Sequence, residues 1–254
     1  MTKIVMLCSP ENTPIMRVSL PMMLAAGAIP AVHCCGDDTD IEVKELGAKT
    51  RKLPYAKGGH YGTPEFLDFI GRKFDVILEE LERDDVLFLD TDVLMFGNPL
   101  DTIDTDCDIF AQDDWALNTS PRGPQICTGC WWIRSCDETK ALLRAAQTHM
   151  AEKRGTTEYW CDESAINHLV GSSSVRVKFA DRDAWQNGTR WEDSDKTGCP
   201  QLLHANGVGR FTVEDKLKFM GEALALLSPS DSLPRNPHAP AESAPISECE
   251  RTAI

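Results

Sequence analysis

The chain opens on an apolar run, Ile4-Val-Met-Leu-Cys8, cut short by Ser9-Pro10-Glu11. A short apolar run bounded by turn residues predicts a buried first strand. A helix is expected over residues 16–28, then a strand at Ala31-Val-His-Cys-Cys35 that ends in Gly36-Asp37-Asp38. From Thr63-Pro64 the period changes. Phe66, Phe69, Ile70, Phe74, Ile77, Leu78 and Leu81 recur at helical spacing and define one apolar face. Val86-Leu-Phe-Leu89 follows, an apolar block between acids, as in the interior of a parallel sheet. Strands are also expected at residues 108–111 and 130–133. Ser135-x-x-Glu138 reads as a capping box that opens a helix to about residue 150. A short helix is expected over residues 162–170, with Gly171 as its stop. A last helix from Thr212 would bury Val213, Leu217, Met220, Leu224 and Leu227. Strands alternating with helices predict an α/β fold, a Rossmann-like mixed sheet flanked by helices.

The pattern fails beyond Leu227. Residues 228–254 hold five prolines and five serines without an aromatic side chain, so a disordered tail is expected after a domain over residues 1–227. Hydrophobic residues make up 42% of the chain, enough for a sizeable core. The 26 basic and 40 acidic residues give a net charge of −14. Such a surface repels nucleic acid and anionic lipid, yet accepts a phosphorylated ligand where a bound cation reverses the local sign. No secretory signal and no span of about 18 apolar residues is found, which predicts a cytoplasmic protein without a membrane span. Several of the ten cysteines fall inside apolar runs and read as reduced, buried thiols. Cys127-x-x-Cys130 has zinc-like spacing but lacks a second ligand pair at matching distance.

Chemistry concentrates at Val86-Leu-Phe-Leu-Asp90-Thr-Asp92. Residues two apart on an extended segment point to the same side, so Asp90 and Asp92 present paired carboxylates at the carboxyl end of a buried strand. Two such charges ~5 Å apart repel by about 3 kcal/mol at an effective dielectric near 20, which invites a divalent cation, manganese or magnesium. A solvated turn is the alternative. His204, delivered by Leu202-Leu203 to a glycine-containing loop, can complete such a ligand set or serve structure alone. Asp162 and Glu163 either favour a helix start through its dipole or stand near a reacting carbon. On the long helix Lys73 flanks the apolar stripe, whereas Arg72 projects nearly opposite it, so Lys73 is the better phosphate-side candidate. Trp185-Gln-Asn-Gly-Thr-Arg-Trp191 suits stacking on sugar rings, or a surface loop with one buried tryptophan.

Taken in order, several segments resemble the nucleotide-diphospho-sugar transferase family, glycosyltransferases of the GT-A fold. They are Gly71-Arg-Lys-Phe, Val86 through Pro99, Asp108-Ile-Phe-Ala-Gln-Asp113, Thr128-Gly-Cys-Trp-Trp-Ile-Arg-Ser135, Asp162-Glu-Ser-Ala-Ile-Asn167 and Leu203-His-Ala-Asn-Gly207. The resemblance implies a nucleotide-sugar donor, a UDP-sugar foremost, and a glycan or other hydroxyl acceptor, with retention of configuration. It implies metal ligands Asp90, Asp92 and His204, and catalytic roles for Asp162 and Glu163. Substrate-binding roles fall to Lys73, Asp113, Thr128, Gly129 and Asn206. Glu163 stands where relatives commonly have glutamine, and Thr128 where many have asparagine. Two readings compete. One is a phosphatase of the haloacid dehalogenase type, whose strand also ends in D-x-D. The other is a sugar-nucleotide-binding module without catalysis.

Overall fold

In a computed structural model of the chain, the structure describes residues 1–54, 63–114, 123–154, 161–193, 200–206 and 212–227. The elements run β1 (Thr2–Cys8), α1 (Thr13–Ala25), β2 (Ala31–Cys35), α2 (Asp37–Glu45), β3 (Lys49–Leu53), α3 (Pro64–Glu80), β4 (Asp85–Leu89) and β5 (Val93–Met95). They continue with β6 (Ile109–Asp113), β7 (Ile126–Ile133), α4 (Asp137–Lys153), α5 (Asp162–Leu169), β8 (Val177–Phe179), β9 (Trp185–Asn187), α6 (Gly188–Asp193), β10 (Leu202–His204) and α7 (Val213–Leu227). A seven-stranded sheet has the order β3-β2-β1-β4-β7-β6-β8, and a small second sheet has the order β5-β10-β9. β3, β2, β1 and β4 are parallel, and β7 runs antiparallel to both β4 and β6. This is the mixed α/β sheet expected from the sequence.

The apolar blocks mark the centre. β4 lies between β1 and β7, with Val86 to Leu89 inaccessible to solvent. The stripe on α3 packs Phe69, Ile70, Phe74 and Ile77 on one sheet face, where α4 and α5 add Leu142, Leu143, Ala165 and Ile166. Met16, Leu20 and Met23 of α1 and Val43 of α2 cover the other face. Ile15 of α1 meets Phe219, Met220 and Ala223 of α7 in a third cluster with Leu94 and Leu203. In α7 only Met220 of the expected stripe is fully buried; Val213, Leu217, Leu224 and Leu227 pack at the margin.

Several expectations need correction. The first helix begins at Thr13 instead of residue 16, because Pro14 suits the opening turn. The helix entered at Cys136 is not capped by Ser135. The Ser135 hydroxyl donates to Leu81 O, and its amide to Asp85 Oδ1, so Cys136 with Thr139 forms the box. Gly171 does not stop its helix in a left-handed conformation; the chain tightens into a 3-10 turn at Val170–Ser172. Asp37 and Asp38 open α2 instead of ending in a turn, three acids in its first turn complementing the dipole. Trp185 and Trp191 are both buried, and Trp185 makes a T-shaped contact with Phe110 at 5.3 Å between ring centroids, so neither offers a face for stacking on a sugar. The region expected to form the tail lies outside the described residues. Among the described residues no helix is long and apolar enough to cross a membrane.

Candidate active site

The strand β4 ends at Leu89, and the chain turns through Asp90-Thr91-Asp92 before β5. Ser19 of α1 fixes that turn by donating its hydroxyl to Thr91 O at 2.6 Å. β10 pairs antiparallel with β5 in a register that sets His204 opposite Val93. A residue 112 positions downstream of Asp92 thereby arrives beside it.

The three predicted ligands converge. His204 Nε2 lies 3.3 Å from Asp92 Oδ1 and 3.9 Å from Asp90 Oδ2. One donor atom from each residue falls within 4.8 Å of the others. His204 Nδ1 sits 3.1 Å from Gln112 Oε1. A proton on Nδ1 satisfies that amide oxygen and leaves Nε2 as the ring atom that faces the acids. The remaining oxygens are each held by a lysine. Lys73 Nζ is 3.2 Å from Asp90 Oδ1, and Lys216 Nζ is 2.7 Å from Asp92 Oδ2. Burial alone would lift the Asp92 carboxyl, but Lys216 and His204 outweigh it and hold the group well below the usual carboxylate range.

The donor set fits a hard divalent cation. Two carboxylate oxygens and one imidazole nitrogen face a common point, across a span that ligand bonds of about 2.1 Å bridge after small inward shifts. Space is kept by Gly129. A Cβ there would stand 3.0 Å from His204 Nε2 and would approach Asp90 Oδ2 and His204 Cε1 nearer than real side chains do. Gly129 reaches this place through an irregularity. Ala111 pairs with Trp131 but Asp113 pairs with Ile126, so β7 carries extra residues against β6. Bulges of this kind re-aim side chains beside active sites.

The same bulge turns Thr128 toward α5. Its hydroxyl donates to Asp162 Oδ2 at 2.8 Å, and Lys73 Nζ reaches that oxygen at 2.6 Å. Lys73 thus joins Asp90 to Asp162 from a fully buried position. Burial works against its ammonium, yet Asp162 and Asp90 raise its pKa above the usual lysine value. Arg72 instead donates to Pro54 O at 3.0 Å, away from this cluster.

Glu163 belongs to a second group, with Asp114 and Cys127. Its carboxyl bonds Asp114, and Asn206 Nδ2 donates to Asp114 Oδ1 at 2.6 Å. Burial, with Asp114 and Asp162 beside it, pushes the Glu163 carboxyl well up. Cys127 Sγ lies 3.4 Å from His204 Nδ1, so the two groups adjoin. Cys127 clusters with these acids instead of with Cys130. Asp113 is turned elsewhere: Arg182 Nε donates to its Oδ2 at 2.9 Å, and its Oδ1 accepts from Gln125 N. Sequence reasoning missed Asp114, which follows Asp113 directly, and Lys216, which belongs to no motif.

A family model described as nucleotide-diphospho-sugar transferase matches residues 32–220. No curated protein sequence matches the chain. Among solved structures, the glycosyltransferase GlyE of Streptococcus pneumoniae TIGR4 is similar with a TM-score of 0.58 and 14% identity, over 92% of this chain and 67% of that one. An active-site mutant of LgtC gives a TM-score of 0.58 and 14% identity, over 92% and 98% of the two chains. A glycosyltransferase involved in glycosylation of the major capsid of PBCV-1 gives 0.54 and 12%, over 86% and 98%. At such identities these likenesses establish the fold.

Proposed function

Because the matched segment spans most of its length, this chain belongs to the nucleotide-diphospho-sugar transferase family, and we propose that it moves a sugar from a nucleoside-diphosphate sugar, a UDP-sugar foremost, to a hydroxyl of a glycan or similar acceptor, with retention at the anomeric carbon. The observation that carries this reading is the convergence of Asp90, Asp92 and His204 around the space Gly129 leaves. Manganese or magnesium would be held there, where it would supply positive charge to the departing diphosphate.

The protein's own groups divide the remaining work. Lys73 keeps Asp90 and Asp162 in fixed relation, so the donor diphosphate and the sugar are oriented by one rigid unit. Asp162 is held through Oδ2 by Lys73 and Thr128, which leaves Oδ1 to take a sugar hydroxyl. This is how threonine serves where relatives commonly carry asparagine. Asn206 and Asp114 bond each other at the rim of the same group and fit a hydroxyl-binding role.

Glu163 bears on stereochemistry. Two carboxyls bond each other only when one carries a proton, and burial with Asp114 and Asp162 beside it favours Glu163 as the one that holds it. A protonated carboxyl donates a hydrogen bond, as an amide does, and neither attacks an anomeric carbon nor accepts a proton. Attack by the acceptor on the face the diphosphate leaves is then the better-supported route to retention, with a diphosphate oxygen taking the acceptor's proton. The deciding experiment screens nucleotide-sugars with manganese for nucleoside diphosphate release and reads the product anomer by proton NMR. An inverted linkage would reject retention. Donor binding without transfer or hydrolysis would instead favour a binding module.

A further inference from the structure

We propose that Lys216 is a positioning residue of the cation site. It holds the outer oxygen of Asp92 so that the site takes a cation together with a nucleoside diphosphate in preference to the cation alone.

The argument starts from which oxygen each partner occupies. Asp90 gives Oδ1 to Lys73 and turns Oδ2 to His204, while Asp92 gives Oδ2 to Lys216 and turns Oδ1 to His204. Each carboxylate is therefore pinned through one atom, with a single oxygen presented to the shared point. Lys73 comes from α3 and Lys216 from the first turn of α7, so helices far apart in sequence brace the two acids.

The brace on Asp92 is itself fixed. Thr212 Oγ1 accepts from Asp215 N at 3.1 Å and donates to Asp215 Oδ2 at 2.6 Å, closing the turn that carries Lys216. Phe219 and Met220 anchor the following turn against Ile15. Asp92 is 2% exposed, so its second oxygen could not rely on water for solvation.

Charge gives the pairing its consequence. Asp90, Asp92 and Asp162 share the ammonium groups of Lys73 and Lys216, so most of the site's negative charge is already offset and a lone divalent cation gains less attraction there than at unpaired acids. A diphosphate brings the compensating negative charge and interacts favourably with both ammoniums and the cation. Cation and nucleotide should therefore bind with positive coupling, and by linkage each tightens the other by the same factor. Removing the Lys216 charge should raise affinity for the cation alone and shrink that factor.

This inference rests on the nucleotide-sugar reading of the site. Manganese binding to the full chain is measured by electron paramagnetic resonance, with and without saturating UDP, for the parent, Lys216→Met, Lys216→Gln and Lys216→Arg. The parent should show coupling of about tenfold or more. Lys216→Met and Lys216→Gln should each bind manganese alone severalfold more tightly and lose most of the coupling, and Lys216→Arg should restore it. Unchanged manganese affinity and coupling in the Met and Gln variants, even with a lowered melting temperature, would leave Lys216 a merely structural ion pair and overturn the inference. Equal weakening of manganese in both states would overturn it as well. A parent that binds neither manganese nor UDP would instead refute the reading of the site beneath it.

Discussion

Two groups of carboxyls stand within this site, and what neighbours them sets them apart. Asp90 and Asp92 each touch a lysine, and Asp92 is held well below the usual carboxylate range although burial opposes it. Glu163 touches Asp114 and lies beside buried Cys127, with Asp162 near, and burial with these acids pushes its carboxyl well up. The side chains are chemically alike. One group stays ionised because lysines offset its charge, while the other is pushed toward its neutral form because burial and two neighbouring acids oppose a further negative charge there. The separation is short, since Asn206 reaches both Asp114 Oδ1 and, at 3.7 Å, the Cys127 thiol that adjoins His204.

The largest break in this contrast should come from the first group. Asp92→Ala removes a proposed cation ligand and strands Lys216, and we expect transfer to fall by roughly a thousandfold or more. Excess chelator acting on the parent should abolish transfer, and full activity in chelator would refute the cation role. Next, Lys73→Met leaves buried Asp162, with half-buried Asp90 beside it, without their shared counter-charge. Stability should drop by about 3 kcal/mol, measured by chemical denaturation. Gly129→Ala should be gentler on the fold but should push into the space between Asp90 and His204. A loss of ~10- to 100-fold in manganese affinity is expected, read by titration calorimetry with an unchanged circular dichroism spectrum.

The contrast also explains what the sequence could disclose. Asp90 and Asp92 were legible because two acids directly after an apolar strand fall where parallel sheets place their ligands, although the segment that carries them turns instead of running extended. Lys73 was legible because the apolar stripe of its helix states which way the helix faces. Lys216 was not, since its contact depends on how α7 docks on α1, a tertiary choice written in no local period. Asp114 was hidden beside Asp113, because a bulge between β6 and β7 decides which of two adjacent acids turns to Asn206. β3 was missed for a related reason. Lys49-Thr-Arg-Lys-Leu53 has no apolar alternation, yet it pairs at a sheet edge, where polar strands are stable and guard against edge-to-edge association. The tryptophans of residues 185–191 read as sugar-stacking groups, or as a loop with one of them buried, because strands of three residues, such as β9 and β10, leave too little pattern to reveal a second sheet.

The smallest effect should come from Glu163→Gln, and it tests the second group most sharply. An amide keeps the size and the donor capacity of a protonated carboxyl but cannot ionise. If Glu163 works as a neutral donor to Asp114, transfer at neutral pH should fall by less than about tenfold. A nucleophile or general base at this position predicts a loss of roughly a hundredfold or more. The pH dependence separates the cases further. The folded protein holds the Glu163 proton more tightly than the unfolded chain, whose carboxyl ionises near the ordinary value of 4.5. The folded state therefore binds more protons above that pH, and this contribution to stability is full below it and is lost as pH rises toward the raised folded value. Replacing glutamate by glutamine removes the titrating proton, so the variant's melting temperature should decline less than the parent's over that window. Its alkaline limb of transfer should flatten likewise. Identical pH profiles for parent and variant would mean that Glu163 is already ionised, and that Asp114 and Glu163 share no proton.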